Sequence, residues 1–257
     1  MLENKVVVVS GVGPGLGRSL ALRSAASGAD VVLAARTETR LAEVAREVEA
    51  VGRRALVVPT DITDEVSAKT LKRTTLEEFG RVDALVNNAF AVPPLQPLTE
   101  VDIEDIHSGF ETNVFAALRL SRLFAPTLAE HSGAITMINS AVIRHSRSPF
   151  GVYKMTKEGL LSLARTLSAE LGPQGVRVNT VAPGYIWGDA LKAGFASMAE
   201  QRGTTVQHIY DETATNLDLL RLPSPDEVAN AVLFLLSDLA SAITGQCLDV
   251  NGGEFHR

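Results

Sequence analysis

Cysteine is almost absent: Cys247 is the single thiol in 257 residues. An intramolecular disulfide is therefore excluded, and the chain fits a reducing, cytoplasmic compartment. The five histidines are scattered, with no HxxxH or CxxC, so no metal site is expected. Long apolar runs are also missing. The longest are Val6 to Val9 and Ala231 to Leu236, far short of the roughly 20 residues that span a bilayer, so no membrane segment is expected. Residues Met1 to Lys5 are charged and lack the apolar core of a secretory signal. Basic residues do not predominate. The net charge of −6 argues against a sequence-independent grip on nucleic acid. Disorder is equally disfavoured, because 46% of residues are hydrophobic and only 21% charged.

What is present is an alternation. Short Val- and Ile-rich runs at Lys5 to Ser10, Asp30 to Ala35, Ala55 to Pro59, Val82 to Asn87, Gly133 to Ser140, Val176 to Val181 and Gln246 to Val250 read as strands. Helical periods fall between them: from the glycine loop to about Ser27, Thr37 to Ala50, Asp64 to Phe79, Asp102 to Glu130 with a bend expected at Pro126, Val152 to Leu171, and Glu227 to Leu236. This β-α-β order predicts an α/β fold, a doubly wound parallel sheet of about seven strands with helices on both faces. Residues 1–257 read as one dinucleotide-binding and catalytic domain. Ligands then belong at the carboxyl ends of the strands. Residues 188–216 have weak periodicity and are expected to form a substrate lid.

The first strand ends in Ser10-Gly11-Val12-Gly13-Pro14-Gly15-Leu16-Gly17. Glycines here permit a tight turn and close approach of backbone to a diphosphate at a helix N-terminus. The second strand ends in Ala34-Ala35-Arg36-Thr37, with no acid until Glu38. An acid would bond the 2′-hydroxyl of NAD, whereas Arg36 suits the 2′-phosphate of NADP. NADP(H) is therefore the preferred cofactor, with NAD(H) possible should Arg36 only cover the adenine. Asp61 is placed to accept from the adenine amino group; capping of the next helix falls better to Thr63 or Asp64.

Tyr153 and Lys157 lie four apart on a helix and so share a face. An ammonium near a phenol favours the phenolate, which makes the pair a proton-transfer device beside a nicotinamide. Ser140 and Asn87-Asn88-Ala89 close strands at the same edge, and Pro183-Gly184 closes another. Asn113 lies inside a helix, where an amide is disfavoured by propensity and a buried structural tie is the ordinary reading.

Together these residues resemble the short-chain dehydrogenase/reductase family, in its branch of about 250 residues, over nearly the whole chain. The glycine motif, Asn87-Asn88-Ala89, Asn113, Ser140 and Tyr153 13 residues later, Lys157, Asn179 to Gly184, Thr244-Gly245-Gln246 and Asn251-Gly252-Gly253 occur in the family's order. The resemblance implies Tyr153 as acid/base, Lys157 lowering its pKa and bonding the nicotinamide ribose, Ser140 orienting the substrate oxygen and Asn113 holding a relay water. It also implies cofactor contacts from Gly11, Gly15, Leu16, Gly17, Arg36, Asp61, Ile62, Asn88, Ala89 and Gly184, with the Ile186 backbone on the carboxamide.

Three positions depart from the family pattern. Phe90 stands where glycine is usual, Gly188 where threonine is usual, and Pro14 removes an N–H from the glycine loop. Gly188 is expected to let the lid hinge more freely. Phe90, Val92, Val142, Phe150, Tyr185 and Trp187, with Phe195 from the lid, are the expected substrate contacts and suit a hydrophobic ketone or secondary alcohol. Arg144, His145 and Arg147 read as a solvated loop, with an acidic substrate group as the alternative. Competing readings are an NAD-dependent alcohol dehydrogenase, a non-catalytic NADP(H)-binding sensor or scaffold, and an enoyl reductase. The last is disfavoured because Gly159 stands six after the tyrosine, where that branch has lysine. The resemblance further implies a homotetramer, or homodimer, built on the two long helices and the C-terminal segment. Phe115, Leu118 and Phe124 are the sequence's own hint of that contact.

Overall fold

A computed structural model describes residues 1–256. Strands β1 (Val6–Ser10), β2 (Asp30–Ala35), β3 (Ala55–Pro59), β4 (Ala84–Asn87), β5 (Ala134–Ile138), β6 (Arg177–Pro183) and β7 (Cys247–Val250) form one sheet in the order β3-β2-β1-β4-β5-β6-β7. All six pairings are parallel. The strand order reverses between β1 and β4, which opens a crevice at their carboxyl ends.

The strands are mostly apolar because both faces are covered. In β1, Val7 and Val9 face one core with helices α1 (Leu16–Ala26), α2 (Glu38–Ala50) and α9 (Pro225–Leu236). Val6 and Val8 face the other, with α3 (Glu65–Phe79), α5 (Ala116–Glu130) and α6 (Gly151–Leu171). Helix α9 starts two residues earlier than its apolar face suggests, at a capping box of Ser224 and Glu227.

The long helix expected over Asp102 to Glu130 is divided, and not at Pro126. It runs as α4 (Ile103–Phe110), a π-helical turn at Glu111–Phe115, and α5. Pro126 lies within α5 without ending it. The π turn carries Asn113 and packs where α6 comes closest: a Cβ on Gly159 would meet the Phe110 ring at 3.2 Å and Val114 at 3.4 Å. Residues 188–216, weakly periodic in sequence, fold as α7 (Asp189–Arg202) and α8 (Val206–Ala214). They bury their own small core of Phe195, Ala199, Ile209, Ala214 and Leu222. A stripe that narrow, shared between two short helices, gives little periodic signal.

Phe124, expected at a subunit contact, is fully buried in the core, and Leu118 packs against it; Phe115 is half exposed. Among the described residues no helix is long and apolar enough to cross a membrane.

Asp83 sets the start of the crevice-forming strands. Its buried carboxylate accepts from the Val6 N–H at 2.9 Å and from both arms of Arg81 at 2.6 and 2.9 Å, joining β1 to β4. Asp83→Ala is expected to cost about 2–4 kcal/mol in denaturant unfolding, because it strands the Val6 donor and the Arg81 fork.

Candidate active site

The glycine loop leaves β1 and turns against the end of β4. Gly11 has φ +83°, and a Cβ there would lie 2.5 Å from the Ala89 backbone. A Cβ on Gly17 would lie 2.2 Å from the Gly11 carbonyl. Asn88 fastens the two loops, donating from Nδ2 to that carbonyl at 2.7 Å. Gly13 and Gly15, by contrast, face open space. Beyond them runs a groove of about 420 Å³, lined by Gly11, Leu16, Gly17, Arg36, Asp61, Ile62, Asn88 and Ala89 from the expected set. Phe90, expected on the substrate side, also lines this groove.

Arg36 is exposed at the groove's far end and makes no ion pair among the described residues. Sequence reasoning missed Arg40, in the first turn of α2, which lines the same groove. Thr37 precedes α2 without capping it through its side chain. Asp64, not Asp61, caps α3, accepting from the Ser67 N–H at 2.8 Å. Asp61 spends one oxygen on Thr63, at 2.9 Å from its N–H and 2.7 Å from its hydroxyl. Those bonds, with Arg36 nearby, hold its carboxyl below the usual range.

Four residues meet where β5 ends against α6. Lys157 lies on the buried stripe of α6 with Leu160, Leu161 and Ala164, and is 2% exposed. Its Nζ donates to the Ile138 carbonyl at 2.9 Å and lies 5.7 Å from the Tyr153 ring centre and 5.4 Å from that of Phe90. Ser140 accepts the Val142 N–H at 3.2 Å through its Oγ, which leaves its own proton free to donate. Asn139, which sequence reasoning passed over, accepts the Ser140 N–H at 2.8 Å and donates to the Lys157 carbonyl at 2.9 Å. It therefore sets the spacing between β5 and α6; a buried amide closing an apolar strand was its signal.

Asn113 is committed elsewhere. Its Oδ1 accepts the Ala91 N–H at 2.8 Å, and its Nδ2 donates to the Ala91 carbonyl at 2.8 Å and to Thr156 Oγ1 at 3.1 Å. Thr156 passes its own proton to the Tyr153 carbonyl at 2.8 Å. The side chain thus ties the loop after β4 to α6 rather than to the sheet.

The proton-transfer pair does not have the electrostatics its spacing suggests. Burial pushes the Tyr153 hydroxyl up to about 12, opposed by its contact with Ser140. Burial also drives Lys157 down to about 7. A dry recess penalises each charged form, and a lysine half neutral at pH 7 lends the phenol little positive field.

The substrate-side residues divide. Phe150 packs with Tyr153, while Val142 is 5% exposed within the same cluster and forms its wall. Tyr185 is exposed at the mouth. Val92 is half exposed and lines neither cavity. Trp187 and Phe195 belong to the interior of α7 and α8: Trp187 lies 5.6 Å from Phe195 and 4.7 Å from Tyr210. Gly188 has extended backbone at φ −116°, open to any residue, so it gives no backbone reason for a hinge. Gly184 closes β6 with its N–H on the Val250 carbonyl at 3.1 Å, and the Ile186 N–H has no protein acceptor among the described residues. The loop after Ser140 is not simply solvated. Arg144 is buried against Asp249 at 2.9 Å, and His145 stacks between Phe150 and Phe255.

The open glycines, the unpaired Arg36 and the free Ile186 N–H fit a dinucleotide. Lys157 supplies a pH signature independent of it. The unfolded chain keeps this proton into the ordinary lysine range, whereas the folded chain releases it near 7. The unfolded state then binds more protons between those values, so stability rises with pH there. From pH 7 to pH 9 the gain is expected to be about 2 kcal/mol in urea unfolding, and Lys157→Met is expected to remove that slope.

Comparison with known proteins agrees with this geometry. A family model described as Enoyl-(Acyl carrier protein) reductase matches residues 11–254. The 7alpha-hydroxysteroid dehydrogenase of Escherichia coli K12 is 33% identical over 253 residues, covering 98% of this chain and 94% of its own. A short chain dehydrogenase/reductase of Aspergillus oryzae is 34% identical over 255 residues, covering 98% of this chain and 95% of its own. Among solved structures, L-sorbose reductase from Gluconobacter frateurii, complexed with NADPH and L-sorbose, superposes with TM-score 0.94 at 29% identity over 100% of this chain and 98% of that one. A 7 alpha-hydroxysteroid dehydrogenase complexed with NADH and 7-oxo glycochenodeoxycholic acid gives 0.89 at 32% identity, over 98% and 94%. With the sheet order, the glycine loop and the Ser140, Tyr153 and Lys157 cluster in place, the chain belongs to the short-chain dehydrogenase/reductase family and is an NAD(P)-dependent, hydride-transferring oxidoreductase.

Proposed function

We propose that the protein is an NADP(H)-preferring carbonyl reductase, or alcohol dehydrogenase in reverse, acting on a ketone with a mainly apolar body. The observation that carries this reading is the end of the groove. Arg36 and Arg40 stand there without a carboxylate partner among the described residues, beside the uncapped start of α2. Two guanidinium groups and free helix amides suit a 2′-phosphate, β2 ends without an acid to take a ribose hydroxyl, and Asp61, the acid in the groove, is engaged by Thr63.

The nicotinamide, when bound, supplies or accepts the hydride. The chain's own residues handle the oxygen. Tyr153, protonated at neutral pH because burial holds its hydroxyl near 12, is the proton donor for ketone reduction. Ser140 turns its free O–H toward the same oxygen, and that bond strengthens as negative charge develops there. Lys157 spends one donor on Ile138 and keeps its others for the cofactor ribose. Asn139 and Asn113, each bonded to both neighbouring elements, hold these groups in register. Helices α7 and α8 act as the substrate lid, and the half-exposed Phe115 and Met155 support assembly into a homotetramer.

Titration with NADPH and NADH tests the cofactor choice. NADPH is expected to bind more tightly, and Arg36→Leu is expected to lower the NADPH-to-NADH affinity ratio by about 10- to 100-fold. Equal affinities would favour the NAD-dependent reading. Tyr153→Phe is expected to lower kcat by about 10²- to 10⁴-fold with NADPH affinity kept. Unaltered function without turnover in either protein would favour the sensor or scaffold.

A further inference from the structure

The turn after β7 brings a carboxylate back to the carboxyl edge of the sheet. A Cβ on Gly184, the residue that closes β6, would lie 3.2 Å from Glu254 Oε2. Asn251 braces the turn, accepting the Gly253 N–H at 2.9 Å and donating to the Phe255 carbonyl at 3.0 Å. The Glu254 side chain is only 8% exposed. No hydrogen-bond donor reaches it among the described residues. Its one ion pair is with Arg147, at 4.0 Å, and that arginine is 60% exposed. At such a distance the pair is not hydrogen bonded. Burial raises the Glu254 carboxyl despite Arg147, as expected of a carboxylate that lost water without gaining donors.

The surroundings place this oxygen on the substrate side. Tyr185, at the mouth, feels the Glu254 charge. Arg147, His145 and Phe150 belong to the segment joining Ser140 to Tyr153, and Phe255 packs on His145 at 5.7 Å. Glu254 thus lies at the carboxyl edge of β6, beside Tyr185 and 4.0 Å from Arg147 of the segment that joins Ser140 to Tyr153. Beside it Phe150 and Phe255 are apolar and Arg147 and His145 are the polar neighbours, so Glu254 is the one carboxylate of this group.

We propose that Glu254 accepts a hydrogen bond from a hydroxyl group of the substrate, which makes hydroxyketones, and diols in reverse, the substrate class of this site. The inference rests on the reductase reading above and narrows it. A neutral donor is favoured over an ammonium because Arg147 already stands beside the carboxylate, and an acidic group would be repelled by it. A site built to accept a hydroxyl rejects the analogue that lacks one, because the acceptor is then left unpaired.

The probes are cyclohexanone and the three positional hydroxycyclohexanones, with NADPH consumption followed. At least one hydroxyketone is expected to exceed cyclohexanone in kcat/KM by about 10- to 100-fold. That ratio is expected to fall toward one in Glu254→Leu, to be partly kept in Glu254→Gln, and to survive in Arg147→Ala. A wild-type ratio near one for all three overturns the proposal, as does a ratio that Glu254→Leu leaves intact. Equal loss in Arg147→Ala also overturns it, by making Glu254 only that arginine's partner. Should Glu254→Leu fail to fold, Glu254→Met, which removes both acceptor oxygens at similar volume, carries the test, and an unchanged ratio there is decisive against. If none of the four ketones is reduced, the reductase reading for this class fails separately. Saturation-transfer NMR of the same ketones on NADP-loaded protein then decides: hydroxyl-dependent binding lost in the Glu254 variants supports the proposal, and its absence overturns it.

Discussion

The end of β1 and the end of β4 lie against each other because Gly11 brings no side chain to their junction. Gly11 meets Ala89 backbone to backbone, Gly17 lies on the Gly11 carbonyl, and Asn88 bonds that same carbonyl. The contact follows from the sheet order, which reverses between these two strands and sends their connections to opposite faces. Everything needed for a dinucleotide is then displayed along one edge. Of the glycines that do not touch the β4 loop, Gly13 lines the groove, whereas Gly15, expected to contact the cofactor, only borders open space. The loop after β4, held by Asn113, forms the opposite bank.

The reacting groups depend on a second constraint, the burial of Lys157. A lysine on the core stripe of α6 is costly, and the recess offers it one carbonyl and two aromatic rings. Burial shifts the balance toward the neutral amine and the protonated phenol. On the reductase reading proposed above, the protonated phenol is the donor to the ketone oxygen. Removing a proton from an alcohol calls for positive charge near the phenol, which a fully protonated Lys157 would bring. Phe90, in the place of the usual glycine, lines the groove and covers Lys157 at once, so it couples the two halves of the site.

Much of this was legible in the chain. All seven strands and the order of elements follow from short apolar runs separated by helical stripes. Arg36 and Asp61 sit where strand ends were expected, and both line the groove. Other features left weaker traces. The π turn at Glu111–Phe115 keeps helical composition, so only the misplaced amide of Asn113 hinted at it. Helices α7 and α8 share a small core that neither shows alone. Trp187, Phe195 and Phe124 looked like contacts because they are large and apolar, but size does not reveal which core a side chain joins.

The sequence by itself determined the alternation of strands and helices, the glycine loop, the absence of an acid at the end of β2, and the spacing of Ser140, Tyr153 and Lys157. Those are local properties, set by side-chain periodicity and backbone freedom within a few residues. Only the tertiary structure decided the state of the groups so assembled. It buried Lys157 and Tyr153 together, gave Arg144 to Asp249 instead of solvent, spent the Asn113 amide on Ala91 and Thr156, and returned Glu254 from the far end of the chain to Gly184. Burial and hydrogen-bond partnership depend on residues distant in sequence, so no short window of the chain contains them.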